Sequence, residues 1–333
     1  MSPEKVSQAR PLASLAYIHA SGGLGHQLDR DQAPPSLRNI ARQRFGPALR
    51  QASRFIELAL LGVADCLKSL PALGSPSVPV YVATGLGEVQ KTMTLFATVT
   101  GATPEPAAPF DFINAANNTA GFYIAKHFTG PGRNFTICDG DLSFESALQL
   151  ALLEYRQAAT NFILVGGVDE AIASRSEYAR RYVSADPTGT IGEGSYWFLL
   201  SSRAGGAIAE VLHAEVFARY QGEDMDTNRW ATDVAQALRE HMPANGTLQL
   251  LPGAGLDEHL TAALIGQFGG LARVKNNSIK SNSYKTYPTS AARTLSDWLN
   301  HPGDSERAID YAAHINRDSQ GRTAITLIRK LRR

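Results

Sequence analysis

The alternation of apolar and polar positions predicts a chain in which short buried strands alternate with amphipathic helices. Residues 36–70 carry apolar side chains at helical spacing, and Gly46-Pro47 interrupts them, which predicts two helices or one bent helix. Residues 78–87 have the pattern of a strand that ends in a glycine turn, and residues 89–99 continue with helical periodicity. An N-terminal strand over 12–20, ended by a turn at Gly22-Gly23, is also expected.

The clearest unit lies between residues 134 and 167. A short apolar run at 134–138 precedes a helical pattern at 142–158, and a continuous apolar run at 161–167 is typical of a buried strand. This order predicts two parallel strands joined by a right-handed crossover. After residue 204 the same order of elements returns, with strands at 207–217, 248–251 and 324–328 and helices at 227–241, 257–268 and 290–299. We therefore predict an N-terminal half, 1–203, and a C-terminal half, 204–333, which together form one compact α/β unit.

Composition narrows the class of protein. A chain of 333 residues with 44% hydrophobic content can bury a large core. The net charge of +1 gives no overall attraction to nucleic acid or to anionic membranes, and no apolar run is long enough to span a bilayer. Its 2 cysteines lack zinc-like spacing and suit a reducing compartment. We expect a cytoplasmic protein without a metal, a cofactor, a nucleic-acid partner or a membrane span.

Four short motifs follow one another along the chain: Val165-Gly-Gly-Val168, Ile191-Gly-Glu-Gly194, Lys280-Ser-Asn-Ser-Tyr-Lys-Thr286 and Gly321-Arg-Thr-Ala-Ile-Thr-Leu-Ile328. Together they resemble the Gly-Gly-Val strand end, the Gly-Glu-Gly turn, the Lys-Ser-Asn-x-Gly-His-Thr loop and the closing strand of the β-ketoacyl synthases, or ketosynthases. These enzymes lengthen acyl chains on acyl carrier protein. The resemblance implies a thiolase-like α/β fold, with two similar βαβ-containing halves packed in layers, α-β-α-β-α.

The resemblance also implies where the chemistry would take place. Ketosynthases need a cysteine at a helix N-terminus, where the macrodipole favours the thiolate, and two histidines that polarise the thioester and assist decarboxylation. The cysteine position falls on Asp141 and the histidine positions on Pro252 and Lys285, whereas a supporting loop lysine is retained as Lys280. A carboxylate attacks thioesters poorly, proline has no side-chain donor or acceptor, and lysine shuttles no proton near neutral pH unless its pKa is strongly lowered. We interpret the catalytic set as lost.

Two interpretations of Asp141 stay open. In one it is only the N-cap of a helix that begins at Leu142, with Glu145 in the first turn. In the other it also forms an ion pair with Lys285 or Lys280 across the former pocket. Neither interpretation of Asp141 supplies catalysis.

Residues 316–321 stand where the family has a mobile Gly-Phe-Gly-Gly gate, and they lack its phenylalanine and its glycine flexibility.

Ketosynthase-like chains without the catalytic set resemble chain-length factors of aromatic polyketide systems and ketosynthase-like subunits of aryl-polyene pathways. The resemblance implies a heterodimer with an active ketosynthase that works in fatty-acid or polyketide-type biosynthesis, and contact with acyl carrier protein through that complex. The compact length favours the polyene type. Thr92, Met93 and Phe96 are candidates for the tunnel wall of the partner, and the alternative is that they are ordinary core residues. One central strand of each subunit pairs across a two-fold axis. Here that strand would contain Asn134, Phe135, Thr136, Ile137 and Cys138.

Two other functions remain possible from the sequence. The chain is an active acyltransferase or condensing enzyme if Cys138 is the nucleophile, although we expect that residue inside a strand and without an activating histidine. It is a simple interaction protein if the scaffold has only its dimerisation role. An acyl adduct on Cys138, or a partner without a ketosynthase cysteine, would distinguish these functions from that of a silent subunit.

Overall fold

A computed structural model gives the architecture of the protein. The described residues are 15–28, 33–47, 49, 52–70, 77–101, 106, 108–157, 161–171, 191–218, 226–243, 246–269, 272–274, 287–301 and 310–331. They include ten strands in one mixed sheet. None of the helices within these ranges is both long and apolar enough to cross a membrane.

The described residues of the N-terminal part form five strands and six helices. The strands are β1 (Ala16–Leu28), β2 (Val80–Ala83), β3 (Asn134–Ile137), β4 (Phe162–Asp169) and β5 (Ile191–Ser201). The helices are α1 (Arg38–Phe45), α2 (Arg54–Cys66), α3 (Val89–Val99), α4 (Pro109–Asn114), α5 (Thr119–Ile124) and α6 (Ser143–Gln157). A π-helical turn at Ala125–Thr129 follows α5, and a 3-10 turn at Gly140–Leu142 precedes α6.

The described residues of the C-terminal part also form five strands, together with three helices. Its strands are β6 (Ala209–Phe217), β7 (Leu248–Pro252), β8 (Ala272–Val274), β9 (Tyr311–Arg317) and β10 (Thr323–Lys330). Its described helices are α7 (Thr227–Arg239), α8 (Glu258–Gln267) and α9 (Ser290–Asn300).

The strand order shows that the two parts have the same topology. Across the sheet the order is β3-β2-β4-β5-β1-β6-β10-β9-β7-β8. Counted along the chain within each set of five, both sets run third, second, fourth, fifth, first from the outer edge inward. β2 pairs in parallel with both β3 and β4, so β3 and β4 run in the same direction, as the crossover pattern predicted. β7 is likewise parallel to β8 and β9. The two sets meet where β1 pairs with β6 over three residue pairs.

Three apolar clusters place the helices in layers. α6 and α9 contribute Phe144 and Leu295 to a central cluster that strands of both sets line. α2 covers the outer face of the N-terminal set with Phe55, and α7 covers the outer face of the C-terminal set with Trp230. The two five-strand halves of the single sheet both line the central cluster, so the layers are helix, half-sheet, helix, half-sheet, helix, and the predicted fold class is confirmed.

Local chemistry explains several helix boundaries. Gly46 ends α1 with a φ of 90°, a conformation open to glycine, so the predicted interruption is real and produces two helices. Ser53, Asp226 and Asp257 precede α2, α7 and α8, and each side chain accepts a hydrogen bond from a backbone N–H of the first turn.

Other expectations about the elements were wrong. Gly22 and Gly23 lie inside β1, which continues to Leu28, and a side chain on Gly23 would collide with the backbone of Ser195 on the neighbouring strand. These glycines permit close packing within a strand instead of forming a turn. β9 was not among the strands that we predicted.

Candidate functional site

The carboxyl ends of the parallel strands converge in the middle of the molecule. β2 leads to Thr84, β3 leads to the turn that contains Asp141, and β4 ends at Asp169. Pro252 at the end of β7 and Asn316 near the end of β9 approach them from the C-terminal part. We call this region, defined by these five residues, the strand-end site. Open α/β sheets commonly bind ligands at such strand ends.

Asp169 is the fully buried centre of this region. One carboxylate oxygen accepts hydrogen bonds from the Thr84 hydroxyl at 2.8 Å and from the backbone N–H groups of Gly85 and Leu86 at 3.0 and 3.2 Å. The other accepts from the backbone N–H and the hydroxyl of Thr289 at 2.9 and 2.7 Å. Burial raises the pKa of Asp169 to about 6, although these donors oppose the shift. Thr289 precedes α9, so Asp169 joins the N-terminal strands to the C-terminal part.

The glycine motifs reflect close packing around the same region. A Cβ on Gly167 would stand 2.6 Å from the Cβ of Thr289, and one on Gly194 would stand 2.7 Å from the ring of buried Tyr287. Gly194 lies inside β5, so the Gly-Glu-Gly motif is part of a strand and not the turn we expected. The glycines therefore permit close approach of the segment before α9.

Asp141 lies in the middle of the 3-10 turn between β3 and α6. The residue before the turn is Asp139 and α6 begins at Ser143, so Asp141 is not the residue that precedes the helix. The Ser143 hydroxyl accepts a hydrogen bond from the Asp139 backbone N–H at 2.8 Å and donates to the Thr84 carbonyl at 3.0 Å. Lys280 and Lys285 lie outside the described residues, so their pairing with Asp141 stays a prediction.

Asn316 connects this turn to the C-terminal part. Its amide nitrogen donates to the Asp141 carbonyl at 3.0 Å and to the Glu145 carboxylate at 2.9 Å. Its amide oxygen accepts from the Gly255 backbone N–H at 3.2 Å, in the loop that follows Pro252. His314 lies two residues earlier on β9 and places its Nε2 atom 3.2 Å from the same Glu145 oxygen. Because Glu145, His314 and Asn316 are all buried, these bonds are shielded from water.

Arg322 holds the loop at residues 316–321 in place. Its guanidinium donates to both oxygens of Asp139 at 2.8 and 3.1 Å and to Asp318 at 2.7 Å. Asp139 precedes the Asp141 turn, whereas Asp318 lies inside residues 316–321. Charge-assisted hydrogen bonds therefore hold residues 316–321 to the turn that contains Asp141.

The polar side chains of this site form hydrogen bonds within the chain. Pro252 is half-buried at the end of β7 and offers no polar side-chain atom. Cys138 is exposed directly after β3, so our expectation that it lies within the strand was wrong. Its sulfur accepts a hydrogen bond from the Asn117 amide at 3.5 Å, and burial raises the pKa of the thiol. An amide takes no proton at neutral pH, so this contact does not activate the cysteine.

A second region has the opposite character. None of the residues of α3 is buried, and Met93 and Phe96 are 43% and 70% exposed. Thr92 is exposed as well, so the alternative that these three are core residues is wrong. Exposed apolar side chains also occur on α4, α5, β3 and α6; α3 contacts α4, and β3 contacts both α5 and α6. We group the exposed apolar residues of these elements under the name apolar face: Met93, Phe96, Val99, Phe110, Phe112, Ile113, Phe122, Phe135, Leu150 and Leu153.

No protein-family model and no curated protein sequence matches the chain. The ishigamide ketosynthase/chain length factor is similar in structure, with a TM-score of 0.73 and 18% identity over 96% of this chain and 100% of that chain. A β-ketoacyl synthase from Burkholderia phymatum STM815 has a TM-score of 0.66 and 14% identity over the same shares. The AntDE:AntF complex, a type II PKS acyl-carrier protein with its ketosynthase bound to the hexaketide, has a TM-score of 0.65 and 11% identity, again over 96% and 100%. At these identities the likeness establishes architecture, and the chain has the thiolase-type fold of the ketosynthases.

Proposed function

We propose that this chain is a catalytically silent ketosynthase-like subunit, a chain-length factor, that pairs with an active β-ketoacyl-ACP synthase and shapes its acyl tunnel. The observation that carries the proposal is the apolar face beside an edge strand. The strand-end site adds a second argument, since its catalytic positions lack a nucleophile and a base.

β3 is the outermost strand of the sheet beyond β2, and it leaves one row of backbone donors and acceptors at the edge. Phe135 on this strand is 45% exposed and packs against the ring of Tyr81 with centroids 5.2 Å apart. An apolar edge strand of this kind invites pairing with another chain. A related subunit that presents the equivalent strand across a two-fold axis would bury the edge and the apolar side chains around it.

α3 supports the tunnel role. A helix without a buried residue gains little from its own chain, and the exposed Met93 and Phe96 need another apolar surface. In the proposed heterodimer this helix contacts the partner, and Thr92, Met93 and Phe96 limit the depth of the acyl tunnel there. Larger side chains at these positions would shorten the product.

The proposed silence rests on three observations. Asp141 takes the nucleophile position, and Pro252 supplies no proton-transfer group. Asn316 and Arg322 join the loops that an open gate would have to separate. The acyl carrier protein then delivers substrate to the partner, and this chain contributes walls and stability. Within this class we place the subunit in an aryl-polyene pathway on the basis of its compact length, and analysis of the pathway product tests this assignment.

The direct test is to purify the tagged chain at native level from its own host and to determine its companion by native mass spectrometry. We expect a one-to-one complex with a protein that carries an intact Cys-His-His set. Phe135→Asp should abolish the complex, because it places a charge in the buried interface. Ala262→Asp, at an exposed position of α8, is the matched control and should leave the complex intact. A homodimer, or a companion without the ketosynthase cysteine, would contradict the proposal.

One observation favours a second candidate, an acyltransferase that uses Cys138. This cysteine is exposed immediately after β3, where the chain turns toward α6. Incubation of the complex with acyl-loaded carrier protein, followed by peptide mass spectrometry, tests the idea. An acyl group on Cys138 that Cys138→Ala removes, together with loss of product formation, would establish this function instead of the silent one.

A further inference from the structure

A cavity of about 310 Å³ lies where the starts of α2 and α3 meet α4 and the end of β4. Its lining includes Ser53, Glu88, Asn114 and Glu170, together with Phe110 of the apolar face. The catalytic positions of the strand-end site are not among its described lining residues. The cavity is thus a separate feature of the molecule.

Two buried carboxyl groups face this cavity. Glu88 is 0% exposed; its Oε1 atom accepts a hydrogen bond from the Ser53 hydroxyl, whereas its buried Oε2 atom has no hydrogen-bond partner among the described residues. Glu170 is 2% exposed and accepts from the Gln90 backbone N–H at 3.3 Å. Burial and repulsion by Glu170 raise the pKa of Glu88 to about 8, and burial and repulsion by Glu193 raise that of Glu170 to about 7. A buried carboxyl oxygen without a hydrogen-bond partner, such as Oε2 of Glu88, destabilises the fold.

The cations along the cavity are already engaged elsewhere. Each forms an ion pair with a different carboxylate: Arg54 with Glu193, Arg38 with Glu57 at 3.5 Å, and Lys91 with Asp111 at 3.1 Å. Lys91 and Arg54 still act electrostatically on Glu88 and Glu170, respectively. No ion pair of Glu88 or Glu170 occurs within the described part of the chain. The cavity therefore presents two carboxyl groups without a direct counter-charge.

We propose that this cavity binds a compact organic cation, an ammonium or guanidinium group, between Glu88 and Glu170. Such a group supplies N–H donors to the unpartnered Oε2 atom and places one positive charge between the two carboxyl groups. The volume is at the lower end of the range for small-molecule sites and suits a short alkyl chain with one charged head. An organic cation fits better than a metal ion, because no cluster of three or more His, Cys, Asp or Glu side chains in the described ranges has metal-binding geometry.

The same chemistry has two sources. A free amine or guanidine would enter as a small ligand. A lysine or arginine side chain of a partner protein would enter beside α3 and α4, whose exposed residues form the apolar face. Binding to the free chain does not depend on the proposed subunit function, so the two proposals fail separately.

Isothermal titration of the full-length chain with n-butylguanidinium and n-butylammonium tests the site, with n-butanol as the uncharged control. We expect one-to-one binding of both cations at pH 8.5 and no binding of the alcohol. As the pH is lowered from 8.5 and the carboxyl groups become protonated, the affinity for both cations should fall by up to about tenfold per pH unit. Glu88→Gln and Glu170→Gln keep the side-chain shape and should each weaken binding by about tenfold. Glu210→Gln, a remote buried position on β6, should leave it unchanged.

The second arm repeats the titration on the chain in complex with its companion. Binding to both forms identifies a free amine as the ligand. Binding to the free chain alone, with a lysine or arginine of the companion cross-linked to Glu88 or Glu170 by a carbodiimide, identifies a partner side chain. Absence of binding to the free chain, binding of the alcohol, or affinity that neither glutamine variant changes would overturn the proposal.

Discussion

The strand-end site and the apolar face differ in how their polar and apolar groups are satisfied. In the strand-end site, three polar residues are buried and form hydrogen bonds within the chain. Asp169 accepts from Thr289, and Asn316 donates to Glu145. On the apolar face, Phe96 and its neighbours remain exposed, and none of the residues of α3 is buried. The first region thus contributes to the stability of the chain itself, whereas the second offers a surface for the proposed partner. Substitutions in the two regions should therefore have different effects on stability and on complex formation.

The largest effect on stability should come from Asp169→Ala. It removes the acceptor for Thr84, Thr289 and three backbone N–H groups in the core, so we expect the free energy of unfolding to fall by about 3–5 kcal/mol. Urea unfolding measures the loss. Asp226→Ala removes an exposed helix cap on α7 and should cost only about 1 kcal/mol. Equal losses in the two variants would show that Asp169 does not join the two parts of the fold.

Arg322→Met should have an intermediate effect. It breaks the charge-assisted bonds to Asp139 and Asp318, which are partly exposed, so we expect a loss of about 1–2 kcal/mol. Hydrogen exchange over 316–321 should become faster, because these bonds no longer hold the loop. Lys68→Met breaks an exposed pair with Asp65 and should change stability by less than about 0.5 kcal/mol. Unchanged exchange in Arg322→Met would mean that this arginine does not hold the loop.

The Glu88 site should make stability depend on pH. The fold raises the pKa of Glu88 from 4.5 to about 8, so the folded chain holds this proton more tightly than the unfolded chain. The stabilisation that the fold gains by holding this proton is fully present below about pH 4.5 and is lost as the pH rises through 8. Glu88→Gln should therefore gain about 1 kcal/mol relative to the parent between pH 7 and pH 9. Thermal unfolding of both proteins across this interval measures the difference, and parallel curves would contradict the shift.

How far the sequence predicts each region follows from the range of the interactions. The helix over 89–99 and the strand starting at 134 were predicted from local periodicity, and the structure has them at those positions. The pairing of His314 with Glu145 joins residues 169 apart, so no local pattern indicates it. The alternation of side chains along β9 places His314 and Asn316 on one face of the strand, and this was the only local sign that they act together. Periodicity also leaves open whether an apolar helix face is covered by its own chain or by another, which is why core positions for Met93 and Phe96 remained an alternative.

The smallest effect on the free chain should come from Phe96→Asp, and this variant separates the two regions most sharply. Phe96 is 70% exposed, so its replacement removes few contacts and should change the free energy of unfolding by less than about 0.5 kcal/mol. In the proposed heterodimer the new carboxylate lies in an apolar interface, so the complex with the companion should no longer be detected by native mass spectrometry. Phe96→Leu keeps the surface apolar and should retain the companion while lengthening the product. A Phe96→Asp chain that still forms the complex would place α3 outside the interface and leave β3 alone to account for pairing.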